Sequence, residues 1–237
     1  MLKKLPLLLL LLVGINAQSQ VLISLLLGDQ LNSDGLECGL EGGYSFSTIS
    51  NLEAHKSLSS LNLGFYFDIR LKNQWNLYTG VLVKSKLGNN KLSQSDLDFL
   101  EITPQAEVGT YSQKINYFII PALIKYNFKN RIYLEGGPQI GYMRKAWIEF
   151  NSDIDGKDIK IKEYNTDKLN RIDAGVSVGS GYVLKPNNGM TVGVRYYMGL
   201  ANVYKGVNGS NHNSLFLKVN VPIGANKAKE KGPAEVE

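Results

Sequence analysis

A few groups of residues in this sequence have types and spacings that could do chemistry. Gly175-Val-Ser177-Val-Gly179 matches G-x-S-x-G, a pattern in which a sharp strand-to-helix turn raises a nucleophilic serine. His55 and His212 are the only histidines, and Asp153, Asp155 and Asp158 stand close together beside Gly156. A third group is spread along the chain: Glu37, Glu41, Asp68, Arg70, Lys84, Glu135, Asp173, Arg195 and Lys218 are charges set singly within otherwise apolar or small-residue segments. The first two groups are weak. Ser177 sits inside an alternating segment rather than at a turn, so a strand position is expected. No H-E-x-x-H or Cys/His spacing accompanies the histidines. The aspartate cluster lacks the glutamate that closes a calcium loop at the twelfth position, where Tyr164 stands. No catalytic residue, metal or cofactor is therefore expected. What the third group does depends on the elements that carry it.

Those elements read as strands. From Leu58 to Leu71, Leu61, Leu63, Phe65, Phe67, Ile69 and Leu71 fall on one face, and Asn62, Gly64, Tyr66, Asp68 and Arg70 on the other. This period of two is the signature of a strand with two unlike faces. It recurs over Leu36–Ile49, Trp75–Leu87, Arg131–Trp147, Arg171–Leu184, Met190–Tyr204 and Leu215–Ile223. Tyr111–Phe128 makes one more strand, so apolar over Tyr117–Ile124 that its faces cannot be assigned. The connections alternate in length. Turns at 72–74, 129–130 and 186–189 are short, whereas polar loops are expected at 88–110, 148–168 and 205–213. Trp75, Trp147, Tyr126, Phe128, Tyr182 and Tyr204 gather near strand ends, where interfacial aromatics belong.

The chain opens with Met1-Leu-Lys-Lys, an apolar run Leu5–Val13 and the small residues Ala17-Gln-Ser19, the layout of a secretory signal. That run is too short to span a bilayer as a helix. Beyond it no apolar run is long enough to do so. A membrane protein of this sequence must cross with strands, and strands survive in lipid only in a closed barrel. Residues 1–19 are expected to be a signal peptide, 20–35 a periplasmic N-terminal segment, with apolar Val21–Leu31 a candidate cover for the barrel mouth, 36–224 the barrel, and 225–237 a charged tail. The formal charge of +5 is modest, and no basic run interleaves with aromatics, so nucleic acid is not expected as a partner. The single Cys38 excludes an internal disulfide.

Two stretches make the sequence resemble a known group. Leu36-Glu-Cys-Gly-Leu-Glu-Gly-Gly-Tyr-Ser-Phe-Ser-Thr-Ile-Ser50 resembles the first strand of the porin-family outer-membrane β-barrel proteins of Bacteroidota. Ile120-Pro-Ala-Leu-Ile-Lys-Tyr-Asn-Phe128 with Tyr133-Leu-Glu-Gly-Gly-Pro-Gln-Ile-Gly-Tyr142 resembles that family's central hairpin. The resemblance implies an eight-stranded antiparallel transmembrane β-barrel in the bacterial outer membrane, with both chain ends in the periplasm. It implies a non-enzymatic structural, adhesive or narrow-pore role among outer-membrane lipids. An accessory barrel of the type IX secretion system, working through envelope or secretion proteins, is the alternative. A lipid-modifying hydrolase built on His55 and His212 comes third. The chain departs from many outer-membrane barrels in ending on a charged tail instead of an aromatic residue. In a barrel this narrow the bore is filled by its own side chains. The predicted inward charges, chiefly Glu41, Asp68, Arg70, Glu135, Asp173, Arg195 and Lys218, must then pair with one another.

Overall fold

The structure is a computed structural model that describes residues 35–54, 56–154, 157–184 and 189–223. The expected signal peptide, the Val21–Leu31 segment and the charged tail lie outside the described residues. The strands are β1 (Leu36–Ile49), β2 (Lys56–Lys72), β3 (Trp75–Asn90), β4 (Thr110–Asn127), β5 (Ile132–Ile154), β6 (Lys157–Tyr164), β7 (Ile172–Val183), β8 (Thr191–Gly199) and β9 (His212–Pro222). All pairings are antiparallel. β1 pairs with both β2 and β9, and β4 with β5. The ring β1-β2-β3-β4-β5-β7-β8-β9 is thereby closed with eight strands, as the alternation predicts. β6 stands outside the ring, paired only with the far end of β5.

Closure explains the two faces. Outward positions carry exposed apolar groups such as Phe46, Leu63, Phe65, Ile120, Ile140, Val178, Val194 and Leu217. Inward neighbours, such as Glu41, Asn62, Ser177 and Arg195, are buried. In water this would be an inside-out protein; in lipid it is the stable arrangement. Among the described residues no helix is long and apolar enough to cross a membrane. One end of the barrel has tight connections. β2 and β3 are joined by Asn73-Gln74, with Asn73 at φ 53°, a left-handed position that Asn tolerates. On the outer wall near this end Trp75 packs edge-on to Tyr126 at 4.7 Å, and Tyr126 to Phe128 at 4.8 Å.

The other end departs from the expected polar loops. Residues 91–109 include a helix, α1 (Gln94–Phe99), started by a capping box between Ser93 and Asp96. Most of the expected loop 148–168 is strand: β5 runs seven residues past Trp147 and folds back as β6. Trp147 accordingly lies within the wall, nearly buried beneath Lys162, whose Nζ sits 5.4 Å from its ring centre. The strand expected to reach Tyr204 stops at Gly199. Leu200 and Ala201 both donate to the carbonyl of Ala174, turning the chain inward and burying Val203 and Tyr204. Tyr204 is thus part of a plug, not of an interfacial aromatic belt. His212, expected in an exposed loop, is the first residue of β9 and fully buried; it pairs with Ile49 and packs edge-on against Tyr117 at 5.5 Å. His55 lies outside the described residues.

Candidate functional site in the barrel lumen

Near the tightly connected end, charges from the adjacent strands β1, β9 and β8 meet a carboxylate from β5, on the far side of β7 in the ring. Arg195 on β8 places Nε 2.8 Å from Glu135 Oε1 on β5 and Nη1 3.3 Å from Glu41 Oε1 on β1. Lys218 on β9 reaches the same two carboxylates, at 3.0 Å to Glu135 and 3.4 Å to Glu41. Two cations and two anions therefore close a neutral ring, with Arg195, Lys218 and Glu41 each 2% exposed or less. Gly179 lies between Glu135 and Arg195 in the register. A Cβ there would come within 2.9 Å of Glu135 Oε1, so only glycine lets the pair meet across β7.

Aromatic rings support this tier. Tyr78 lies 4.3 Å from Lys218 Nζ and 5.0 Å from the Arg195 guanidinium, measured to the ring centre, distances suited to cation–π attraction. Asn220 donates to Tyr78 Oη at 2.8 Å, and Tyr66 stacks on Tyr78 at 5.6 Å. The Tyr133 ring lies 4.6 Å from Lys125 Nζ, and Gly181 makes room for its hydroxyl, which would stand 2.4 Å from a Cβ at that position. Below the ring, Lys125 bonds Asp68 at 2.5 Å, Asn76 donates to the other Asp68 oxygen, and Tyr66 donates to Glu37 at 2.8 Å.

The opposite half of the bore is largely apolar, with Gln113, Asn165 and His212 buried among its side chains. Leu82, Leu87, Ile115, Tyr117, Ile119, Met143, Ile148 and Phe216 point inward and pack with Leu97, Leu100 and Ile102 from the α1 region and with Leu169, Val203 and Tyr204 from the other long connections. Where the two halves meet, a cavity of about 20 Å³ remains, lined by Asn62, Leu82, Gln139, Arg195 and Phe216 among others. That is room for roughly one water molecule.

Of the charges predicted to face inward, Glu41, Glu135, Arg195 and Lys218 are brought together. Asp68 joins Lys125 instead, and Asp173 stands apart, accepting from Tyr197 Oη at 2.8 Å. Two predicted positions are not lumenal. Arg70 is exposed because it lies near the very end of β2, where Arg70–Lys72 are all exposed. Lys84 is also exposed: the register of β3 slips between Leu82 and Ser85, so the alternation reverses there. Lys125 was not legible, since the faces of β4 could not be assigned. Tyr66 and Tyr133 could have been found, being in step with Asp68 and Glu135.

Ser177 lies mid-strand in β7, fully buried, and donates to Gln139 Oε1 at 3.0 Å; no strand-to-helix turn is present there. Asp153 and Asp158 face each other across the β5–β6 hairpin, while Asp155 lies outside the described residues. Among the described residues no group of His, Cys, Asp and Glu gathers to hold a metal.

The family profile described as "Outer membrane protein beta-barrel domain" matches residues 16–205. No curated protein matches the sequence. Among solved structures, Ail, the attachment invasion locus protein of Yersinia pestis, is 12% identical, with 80% of this chain and 99% of that chain covered at a TM-score of 0.44. Neisserial surface protein A is 15% identical, with coverages of 81% and 97% and a TM-score of 0.42. OprG from Pseudomonas aeruginosa is 11% identical, with coverages of 79% and 93% and a TM-score of 0.34.

Proposed function

This chain belongs to the outer membrane protein β-barrel domain family, and from that premise we propose that it is a closed scaffold, a structural or adhesive barrel that presents its long connections outside the cell and conducts nothing through its bore. The tight turns and both chain ends then face the periplasm, the short-inside, long-outside asymmetry of bacterial barrels. The lumenal charges are a plug. Surrounding lipid is the primary partner, and envelope or secretion proteins would meet the connections at 91–109 and 200–211.

One observation carries this reading: among the described residues the bore is crossed by a buried ion ring in one half and by packed apolar side chains in the other, with a cavity of about 20 Å³ where the two meet. A conducting pore needs a continuous wet path. Here the ring of Arg195, Glu41, Glu135 and Lys218 closes one half and the packed apolar cluster the other.

Single-channel recording of the refolded protein in a planar bilayer tests it, with heat-shifted gel migration as the folding control. A folded, silent barrel is expected. Steady salt-dependent openings that change when Arg195 or Glu41 is neutralised would overturn the closed reading in favour of a narrow pore.

A further inference from the structure

The barrel wall is interrupted between β2 and β3. Ser57 pairs with Asn89, and the next partners are Leu63 and Lys84, so residues 58–62 and 85–88 face each other without ladder pairing. Groups on the lumen side mend the gap. Ser60 Oγ donates to the carbonyl of Lys86 at 2.7 Å, while Ser47 Oγ accepts from the amide of Gly88 at 2.9 Å and donates to its carbonyl at 3.1 Å. The inner side is thus sealed. On the outer side a cavity of about 290 Å³ opens, lined by Tyr44, Leu61, Lys84, Lys86 and Lys114 together with Leu58–Ser60.

The lysines are there because of the slip in β3. Leu82 is buried, Val83 and Lys84 are both exposed, and Ser85 is buried again, so the alternation turns Lys84 and Lys86 outward. Lys114 is bonded to Glu149 at 2.6 Å, and Glu149 is also met by Trp147 Nε1 at 3.1 Å. Lys84 and Lys86 have no carboxylate within ion-pair distance among the described residues. Their surroundings are apolar and exposed: Tyr44, Leu61, Leu63, Phe65 and Val83. Unpaired lysines amid lipid-facing side chains are costly near the bilayer midplane and tolerated at the interface, where anionic headgroups lie.

We propose that this breach is a docking site for the phosphorylated headgroup of an outer-leaflet lipid, with Lys84 and Lys86 holding the phosphate, Lys114 at its edge, and Tyr44 and Leu61 against the acyl chains. The site rests on the orientation proposed above, which puts this end of β3 at the outer leaflet. An amphiphile fits better than a soluble polyanion because the cations are flanked by apolar surface that a polyanion would leave uncovered.

The test uses the full chain refolded in neutral detergent micelles containing diphosphorylated lipid A. Lipid retained through gel filtration is measured by mass spectrometry. Retention at least tenfold above that of dephosphorylated lipid A is expected. It should fall at least tenfold in a Lys84→Gln/Lys86→Gln variant that still shows heat-shifted migration, and hold in a Lys129→Gln/Arg131→Gln control at the opposite end. Equal retention by the double variant, or equal retention of dephosphorylated lipid, overturns the site. So does binding of soluble heparin to these lysines with phosphorylated lipid ignored. Protease added to intact cells reads the orientation separately, by cleavage in 91–109. Cleavage with unchanged lipid retention in the variant overturns the site alone. Cleavage in 91–109 only after the outer membrane has been opened overturns the orientation and the outer-leaflet site with it.

Discussion

The two halves of the bore fill the same cylinder by opposite means. Toward the tight turns, strands alone supply the filling: Glu41, Glu135, Arg195 and Lys218 come from four different strands and hold each other through charge. Toward the long connections the strands supply only part of it, and Leu97, Leu100, Leu169, Val203 and Tyr204 enter from between them. The charged half is a cross-brace in which each member depends on the others. The apolar half is a stopper whose parts can be loosened one at a time. Mutations should separate the two.

The largest effect is expected from Arg195→Met. It leaves Glu41 and Glu135 facing Lys218 alone, an uncompensated buried charge worth about 3–5 kcal/mol of lost stability. A lower urea midpoint for the refolded barrel would show it. Arg195→Met with Glu135→Leu sharpens the point, because the remaining Lys218–Glu41 pair is again neutral. Most of the loss should return, since replacing a whole buried pair by apolar groups is often close to neutral. A double variant as unstable as the single one would mean that packing around Tyr78 and Tyr133, and not charge balance, holds the brace.

In the apolar half Leu100→Ala should cost about 2 kcal/mol, the low end for a buried leucine, because the site opens toward a connection that can partly collapse. The loss should be local. Faster proteolysis within 91–109 is expected, with the urea midpoint of the barrel little changed. A midpoint shift as large as that of Arg195→Met would show that the two halves unfold as one. Ser93→Ala acts on the same stopper from its edge. It removes the side chain that accepts from the Asp96 amide at the start of α1, and about 1 kcal/mol of cap should be lost.

The contrast between the halves also marks what the sequence could disclose. Glu41, Glu135, Arg195 and Lys218 are legible because each interrupts an alternating strand whose other face is apolar. The same rule fails for β4. Its inward Ile115, Tyr117 and Ile119 are as apolar as its outward Phe118 and Ile120, since both lipid and stopper demand apolar side chains there. Lys125 is hidden with them. Lys84 is misplaced by the slip in β3, which leaves no mark on the pattern beyond Val83 and Lys84 both being exposed. The stopper itself comes from segments that read as polar loops, because burial of Leu97, Val203 or Tyr204 follows from closure of the ring and not from local periodicity. The metal and histidine readings turned on loops, and His212 shows why they are fragile: a residue next to a Gly/Asn-rich loop became a strand residue once β9 found β1.

The smallest effect concerns a tether across the mouth of the stopper. Lys168 Nζ lies 2.6 Å from Glu101 Oε2, linking the end of the α1 connection to the turn at 166–168. Both side chains are exposed, so screening by water and salt keeps the contribution slight. Its sign is nonetheless fixed. The hydrogen bond and the charge of Lys168 hold the Glu101 carboxyl below its usual range. A carboxyl with a lowered pKa in the folded state contributes above its unfolded value, and that contribution is lost as pH falls through the folded one. On acidification the amide of Ile102, bonded to the Leu97 carbonyl at 2.9 Å, should lose exchange protection. Glu101→Gln should show the reduced protection already at neutral pH and change less on acidification, with the difference shrinking in high salt. Equal responses of parent and variant would mean that the tether contributes nothing and that buried Leu97, Leu100 and Tyr204 alone hold the stopper in place.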